Sequence, residues 1–369
     1  MVKKSLLERL SEDGVVVGDG GFVFQLEKRG YVKGGPWTPE ASVQHPEAVK
    51  QLHREFLRAG SDVMQTFTFY SSDDKLKFGG NETGNIFTCR EINDAACRIA
   101  REVANEGDAL VGGCISRCPS YAEGKGKAVV QAQAREQLDV FTKHKVDFII
   151  AEFFNYVEEL EWVIEEAKKT GLIVASTMSI GKFGDKAGVP PGQCAVRMAR
   201  AGAALVGVNC LFDPETTLET IRMMKEGLDA EGLKPYLMTQ PNGYHCPETG
   251  RNGWSCCSEY PFAMETRLVT RADVHKFARE AYKLGVRYIG GCCGFEAYHI
   301  RAIAEELAEE RGKWPAASDK HEPWGAANRL STVSYLQTRV GREYWQDLVP
   351  SSGRKAPPTY QNYDIHSYD

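Results

Sequence analysis

Short apolar, β-branched runs recur eight times along this chain, and each is followed by a longer segment with apolar residues spaced near 3.6 positions apart. The runs are Val15-Val16-Val17, Val63-Met64, Ala109-Leu110-Val111, Phe148-Ile149-Ile150-Ala151, Leu172-Ile173-Val174-Ala175, Leu205-Val206-Gly207-Val208, Tyr236-Leu237-Met238 and Tyr288-Ile289. Segments such as Pro46 to Ala59, Glu91 to Asn105, Val157 to Lys169, Gly192 to Ala201, Leu218 to Glu226 and Ala272 to Leu284 carry the helical spacing, with charged outer faces. Strand then helix, repeated in this way, predicts an α/β fold of the (β/α)8 TIM barrel type. A doubly wound sheet is the competing architecture. Its glycine-rich first loop is not matched by Gly18-Asp19-Gly20-Gly21, which lacks the GxGxxG spacing.

Barrels build their sites from the C-terminal ends of their strands, and here those ends are polar or special almost throughout. They read Asp19-Gly20-Gly21, Thr66 to Tyr70, Gly112-Gly113, Glu152, Thr177, Asn209-Cys210, Gln240-Pro241-Asn242 and Gly291-Cys292-Cys293-Gly294. An apolar core alone does not require this. The barrel is expected over residues 1–311. Residues 312–369 change character, with Trp314, Trp324 and Trp345 among prolines, glycines and polar residues, and are expected to form an arm on the barrel or on a second subunit.

The 11 cysteines make thiol or metal chemistry the leading question, since no signal peptide is apparent and the cytosol keeps thiols reduced. With 45 basic against 50 acidic residues and no polybasic face, nucleic acid is not an expected partner. No stretch approaches the roughly 18 consecutive apolar residues of a membrane span, so a soluble cytoplasmic protein is expected. Cys210 ends the sixth run while Cys292 and Cys293 end the eighth, which brings three thiols to one barrel rim. Three thiolates with a fourth position open are the donor set of a catalytic zinc. Gly290, Gly291 and Gly294 would let both neighbouring sulfurs face one ion. Cys246, Cys256 and Cys257, near His245, look like a second cluster but lack the Cys-x2-Cys spacing of a closed site. Cys89, Cys97, Cys114, Cys118 and Cys194 read as structural.

Zinc on three thiolates can hold a further thiol as thiolate, which suits thiol alkylation. The methyl donor would be a quaternary ammonium or sulfonium, held on aromatic faces, for which Trp37, Tyr70, Phe153 and Phe154 are candidates.

The stretches VVVGDGGFVFQLEKRGYVKGGPWTPE, HPEAVKQLHREFLRAGSDVMQTFTFY, GVNCLFDP and REAYKLGVRYIGGCCGFEAYHIRAIAEELAEERG closely resemble the betaine-homocysteine S-methyltransferases, a branch of the zinc-dependent homocysteine S-methyltransferase family. The similarity runs from about Leu6 to Arg354. It implies a barrel methyltransferase with one zinc ion per subunit that moves a methyl group from glycine betaine to homocysteine, giving dimethylglycine and methionine. It implies zinc ligation by Cys210, Cys292 and Cys293, with the homocysteine sulfur in the fourth place. Asp19, Gly20 and Gly21 would hold homocysteine, Glu152 its amino group. Trp37 would pack on the donor's methylammonium and Tyr70 would line the donor site, with Thr66 and Phe153 as further substrate contacts. Cys210, Cys292, Cys293, Glu152 and Tyr70 are thereby the expected catalytic residues. The resemblance also implies a homo-oligomer, dimer or tetramer, assembled through C-terminal arms.

One departure bears on the donor. The family reads AEYF where this chain reads AEFF, so Phe153 keeps an aromatic face but lacks a hydroxyl, a difference of about 0.5–1.5 kcal/mol if that hydroxyl met the donor carboxylate. A sulfonium donor such as S-methylmethionine is the alternative. A non-catalytic zinc barrel is a third reading, argued against by the intact thiol triad.

Overall fold

The computed structural model describes residues 3–33, 39–78, 85–247, 249–320, 334–339 and 341–346. Eight parallel strands form one sheet: β1 (Val16–Val17), β2 (Val63–Gln65), β3 (Leu110–Ser116), β4 (Phe148–Phe154), β5 (Val174–Met178), β6 (Leu205–Cys210), β7 (Tyr236–Pro241) and β8 (Val286–Ile289). Each is followed by a helix on the outside: α1 (Pro46–Ala59), α2 (Cys89–Ala104), α3 (Lys127–Lys143), α4 (Val157–Lys168), α5 (Pro191–Ala201), α6 (Pro214–Ala230), α7 (Arg271–Leu284) and α8 (Ala297–Glu306). The (β/α)8 barrel expected from the alternation is the observed fold.

Helix boundaries follow local chemistry. Pro46, Pro191 and Pro214 open α1, α5 and α6, where a missing N–H costs nothing. Thr88 and Thr270 cap α2 and α7 in reciprocal boxes with Glu91 and Asp273. Gly60 and Gly202 end α1 and α5 in the left-handed conformation at φ 107° and 109°.

The two-residue period of the strands sorts the core into two layers. Val16, Val63, Leu110, Phe148, Ile150, Ala175, Leu205, Met238 and Tyr288 fill the barrel interior, joined by Leu6 and Leu10 of a short N-terminal helix. Their neighbours Val17, Met64, Val111, Ile149, Val174, Val206, Leu237 and Ile289 point outward into the helix shell.

The ladder runs β1-β8-β7-β6-β5-β4-β3-β2, leaving β1 and β2 as its two ends. Two aspartates span that seam. The Asp62 N–H donates to Val17 O at 2.7 Å, the Asp62 carboxylate accepts from the Val17 N–H at 3.0 Å, and the Asp19 carboxylate accepts from the Gln65 N–H at 2.9 Å. Arg311 and Lys313, just beyond α8, neutralise Asp62 at 3.0 and 2.6 Å.

β3 corrects one sequence expectation. Gly112-Gly113 do not end the strand, which continues to Ser116. A side chain at Gly112 would meet Ile150 and Phe148, and one at Gly113 would meet Phe141, so these glycines lie where neighbours crowd the strand rather than at the rim. Of the C-terminal segment, Trp314 is exposed, and Arg342 reaches back to the barrel at 3.1 Å from Glu306. Trp324 and the side chain of Trp345 lie outside the described residues. No helix among the described residues is long and apolar enough to cross a membrane.

Candidate active site

Above the apolar interior, the same inward parity delivers Gln65 from β2, Cys114 from β3, Glu152 from β4, Asn209 from β6 and Gln240 from β7. These form a connected polar floor. The Gln65 side-chain amide donates to Glu152 Oε1 at 2.6 Å and the Cys114 thiol donates to the same oxygen at 3.0 Å. Asn209 donates to Glu152 Oε2 at 3.2 Å, while its own carbonyl accepts from Thr177 at 2.9 Å and from the Phe153 N–H at 3.0 Å. Gln240 donates to Gln65 Oε1 at 3.3 Å, and its own carbonyl oxygen is buried with no protein partner.

Strict alternation would send Phe153 and Cys210 outward, since each follows an inward residue. Both instead have positive φ, 66° and 56°, and β4 carries a register irregularity between Ala151 and Phe154. This reversal turns Phe153 and Cys210 into the cavity wall. Tyr70, in the loop after β2, is likewise at φ 60°. Left-handed backbone at non-glycine residues costs of order 1–3 kcal/mol each, so this rim stores strain where side chains are being aimed.

Cys210, Cys292 and Cys293 meet at the mouth with every sulfur within 4.8 Å of the others. The Sγ atoms of Cys210 and Cys293 are 3.8 Å apart and those of Cys292 and Cys293 3.9 Å. Two thiolates at about 2.3 Å from a tetrahedral zinc would lie about 3.8 Å apart. Two edges of the sulfur triangle therefore already have the length that tetrahedral ligation gives, and the third is within 4.8 Å. Its electrostatics agree: thiol donors from Cys292 and Cys293 favour the Cys210 thiolate, whereas Cys292 and Cys293 are pushed far up chiefly by their contacts with Cys210. A cation would relieve this conflict. The Gly-Cys-Cys-Gly turn is shaped by Gly291, where a Cβ would collide with the Phe295 ring, and by Gly294 at φ 81°.

The cavity, about 620 Å³ when the solvent space at its open mouth is included, extends from the thiols down to Asp19, Glu152 and Gln65. Asp19 and Glu152 are both buried, and burial pushes both carboxyls up, Glu152 to about 8. The charges acting on them are acidic ones, Glu152 and Cys292 on Asp19 and Cys292 on Glu152, with no cation among the causes. The chamber is built for a positively charged group. Gly20 and Gly21 line it because a Cβ at Gly20 would meet Phe295 O at 2.6 Å and one at Gly21 would meet Cys292 O at 2.7 Å. Thr66 also lines it, but its hydroxyl is engaged with Thr68 at 2.8 Å and the Cys114 N–H at 2.9 Å. Thr66 thus braces β2 against β3.

The aromatic side is formed by Phe69 and Phe153, edge to face at 5.3 Å, with Tyr70 adjoining Phe153 at 6.2 Å. The Tyr70 hydroxyl accepts from Arg117 Nε at 2.8 Å, and burial pushes its pKa up to about 12. Phe154 faces the helix shell rather than the cavity. Trp37 lies outside the described residues.

Sequence reasoning assigned Cys114 a structural place, and the structure instead puts its thiol in the cavity wall. Gln65, Asn209, Gln240 and Arg117 carry the polar framework although the sequence alone gives none of them a role: Gln65 and Asn209 lie within the stretches quoted above and Gln240 at a strand end. Inward parity from Val63, Leu205 and Met238 is the signal that would have found the first three. Among the described residues Cys246, Cys256 and Cys257 form no metal-compatible group. Cys246 and Cys257 pack instead in the roof of the site with Tyr244 and Trp254, whose rings stack at 5.0 Å.

Comparison with known proteins places this architecture. The profile of the homocysteine S-methyltransferase family matches residues 16–307. Betaine–homocysteine S-methyltransferase 1 of Xenopus tropicalis is 59% identical over 362 residues, covering 98% of this chain and 90% of that protein. The mouse enzyme of the same name is 58% identical over 98% of this chain and 89% of its own length. An S-methylmethionine–homocysteine S-methyltransferase of Pongo abelii is 53% identical, covering 98% of both chains. The metallated form of the Escherichia coli homocysteine methyltransferase MmuM shares the fold, with a TM-score of 0.60 at 18% identity over 79% of this chain and 96% of that one. The chain belongs to the homocysteine S-methyltransferase family.

Proposed function

We propose that the protein transfers a methyl group from glycine betaine to homocysteine, giving dimethylglycine and methionine, with one zinc ion held by Cys210, Cys292 and Cys293. The observation that carries this reading is the sulfur triangle, spaced at 3.8 and 3.9 Å as tetrahedral thiolate ligation requires, at the mouth of a chamber ending in two buried carboxyls. Bound there, zinc would lower the pKa of a substrate thiol at its open position and keep it a thiolate near neutral pH.

The chain's own residues supply orientation. Asp19 and Glu152 receive the amino acid's ammonium, which offsets the burial that otherwise drives both toward the neutral form. Gln65 fixes both acceptors, and the free carbonyl of Gln240 lies in the same wall. With the ammonium anchored at the floor, the sulfur of homocysteine is directed toward the cysteines. Phe69 and Phe153 present aromatic faces to the donor's methylammonium and exclude water from the reacting carbon.

The sulfur lone pair then attacks the methyl carbon in line. The new C–S bond forms as the C–N bond breaks, and the bonding pair leaves on nitrogen to give the neutral amine of dimethylglycine. No proton moves in that step.

Methionine formation from homocysteine, with betaine and S-methylmethionine supplied separately and bound zinc counted in the same sample, tests the proposal. Methionine from betaine supports it. Activity only with S-methylmethionine transfers the chain to the sulfonium reading, which the missing hydroxyl at Phe153 favours, and zinc without activity toward either donor overturns both.

A further inference from the structure

Arg117 follows β3 directly and is half-buried at the aromatic side of the cavity. Its guanidinium carbon lies 5.2 Å from the centroid of Phe153 and 5.8 Å from that of Tyr70, and its Nε donates to the Tyr70 hydroxyl. Lys75 reaches the same tyrosine, its Nζ 4.2 Å from the ring centroid. Two cations therefore converge on the aromatic pair beside the reacting centre. Among the described residues neither forms an ion pair: no carboxylate lies within 4.0 Å of either side chain. The charge of Glu159 interacts with that of Arg117, and the Glu159 carboxylate is already engaged by the Cys118 N–H at 2.9 Å.

Such a pair of cations is unexpected beside a site that must accept an onium group. A second positive charge near the donor's methylammonium is repulsive, and in a half-buried place water screens it poorly. The arrangement becomes favourable if the donor carries its own anion. Arg117 has its terminal nitrogens available, in the planar geometry that binds a carboxylate through two parallel hydrogen bonds. Packing on Phe153 and the bond to Tyr70 hold the guanidinium plane in place without consuming those nitrogens.

We propose that Arg117, assisted by Lys75, is the donor-specificity residue of this enzyme: it binds the carboxylate of a zwitterionic onium acetate and selects against donors with net positive charge. The proposal rests on the methyl-transfer reading above and narrows it. Betaine and dimethylsulfonioacetate are both neutral overall and place one carboxylate one carbon from the onium centre. S-Methylmethionine carries an additional ammonium and is net cationic at neutral pH. Arg117 thereby compensates for the absent hydroxyl at Phe153, supplying from β3 the donor contact that β4 lacks.

The test is steady-state kinetics of the zinc-loaded enzyme and of Arg117→Gln and Arg117→Lys, at saturating homocysteine, with betaine and S-methylmethionine each varied. For Arg117→Gln the expected result is a betaine KM raised at least tenfold with kcat within about threefold, and an S-methylmethionine KM unchanged or lowered. Arg117→Lys should recover part of the betaine affinity. Equal losses with both donors in both variants, or no change with either, overturn the proposal. Binding supplies a readout independent of turnover. Thermal shifts of the same proteins with betaine, and with choline, which has the onium but no carboxylate, should show wild type favouring betaine and Arg117→Gln losing that preference. If wild type makes methionine from neither donor, the methyl-transfer reading fails; the betaine-to-choline preference still decides the role of Arg117.

Discussion

Gln65 ties the two buried carboxyls of the chamber together: its side-chain amide donates to Glu152 Oε1 at 2.6 Å and its backbone N–H to Asp19 Oδ2 at 2.9 Å. The side-chain bond can be removed alone. Gln65→Leu keeps the volume and the backbone bond to Asp19 but leaves Glu152 with Cys114 and Asn209 as its remaining partners. Hydrogen bonds to charged groups contribute about 1.5–3 kcal/mol, so kcat/KM for homocysteine should fall roughly 10- to 150-fold. The loss should appear mainly in the homocysteine KM, with the donor KM little changed. A loss confined to the donor KM would refute the ammonium-binding role of this floor.

The four thiols lining the cavity separate into ligands and framework. Cys210→Ala should leave less than about a tenth of the zinc bound and reduce methyl transfer by more than the roughly 100-fold typical of changes outside the ligand sphere. Cys114→Ala removes the S–H donor to Glu152 and should keep the metal. Zinc by elemental analysis, with circular dichroism as a check on folding, measures both. Loss of zinc from Cys114→Ala, or its retention in Cys210→Ala, would require a different ligand set.

The barrel was legible because the strand runs and the helical spacing are both periodic, and periodicity is set by geometry that every residue obeys. Pro46 to Ala59 is read correctly to the residue, since a proline starts it and a left-handed glycine ends it. The cysteine triad was legible because Cys210 and the vicinal pair lie at strand ends. β3 was misread at its glycines, where a small residue marks a crowded strand rather than its end, and with it Cys114 and Arg117 were lost from the site. Phe153 and Cys210 face the cavity only through positive φ, a backbone reversal that side-chain alternation does not reveal. Asn209 shows the remaining limit: its value lies in reaching Glu152, Thr177 and Phe153 together, which depends on β5 pairing with β6 and on β4 following next across the barrel.

Arg311 seals the barrel seam from beyond α8. Its guanidinium meets both oxygens of Asp62 at 3.0 Å, and the side chains are 2% and 5% exposed. Removing one partner from a buried pair costs about 3–5 kcal/mol because the other charge remains unpaired. Arg311→Met should destabilise by the lower part of that range, since Lys313 still reaches Asp62. Urea unfolding checks this, and the double variant Arg311→Met with Asp62→Asn should lose less than the sum of the two single changes. Strict additivity would show that the pair does not act as one unit.

His53 lies fully buried on α1 with neither ring nitrogen partnered, its ring 4.6 Å from that of Phe22, which lines the cavity. Burial holds its pKa down at about 3, against an ordinary value near 6.5. Between those values the unfolded chain binds a proton that the folded chain refuses. Stability associated with His53 is therefore complete above about pH 6.5 and falls as the pH is lowered toward 3, by about 2 kcal/mol at pH 5. His53→Leu removes this titration and replaces two unpaired nitrogens with apolar contact, so it should stabilise the protein at pH 8 and do so by about 2 kcal/mol more at pH 5. His299 will keep some acid sensitivity in the variant, since burial lowers its pKa to about 4 although both nitrogens are bonded, to Glu296 N at 2.9 Å and Val269 O at 2.8 Å. Urea midpoints of wild type and variant at the two pH values decide the matter. An equal gain at both would mean that His53 carries no proton-linked cost, and that its effect on the fold is one of packing alone.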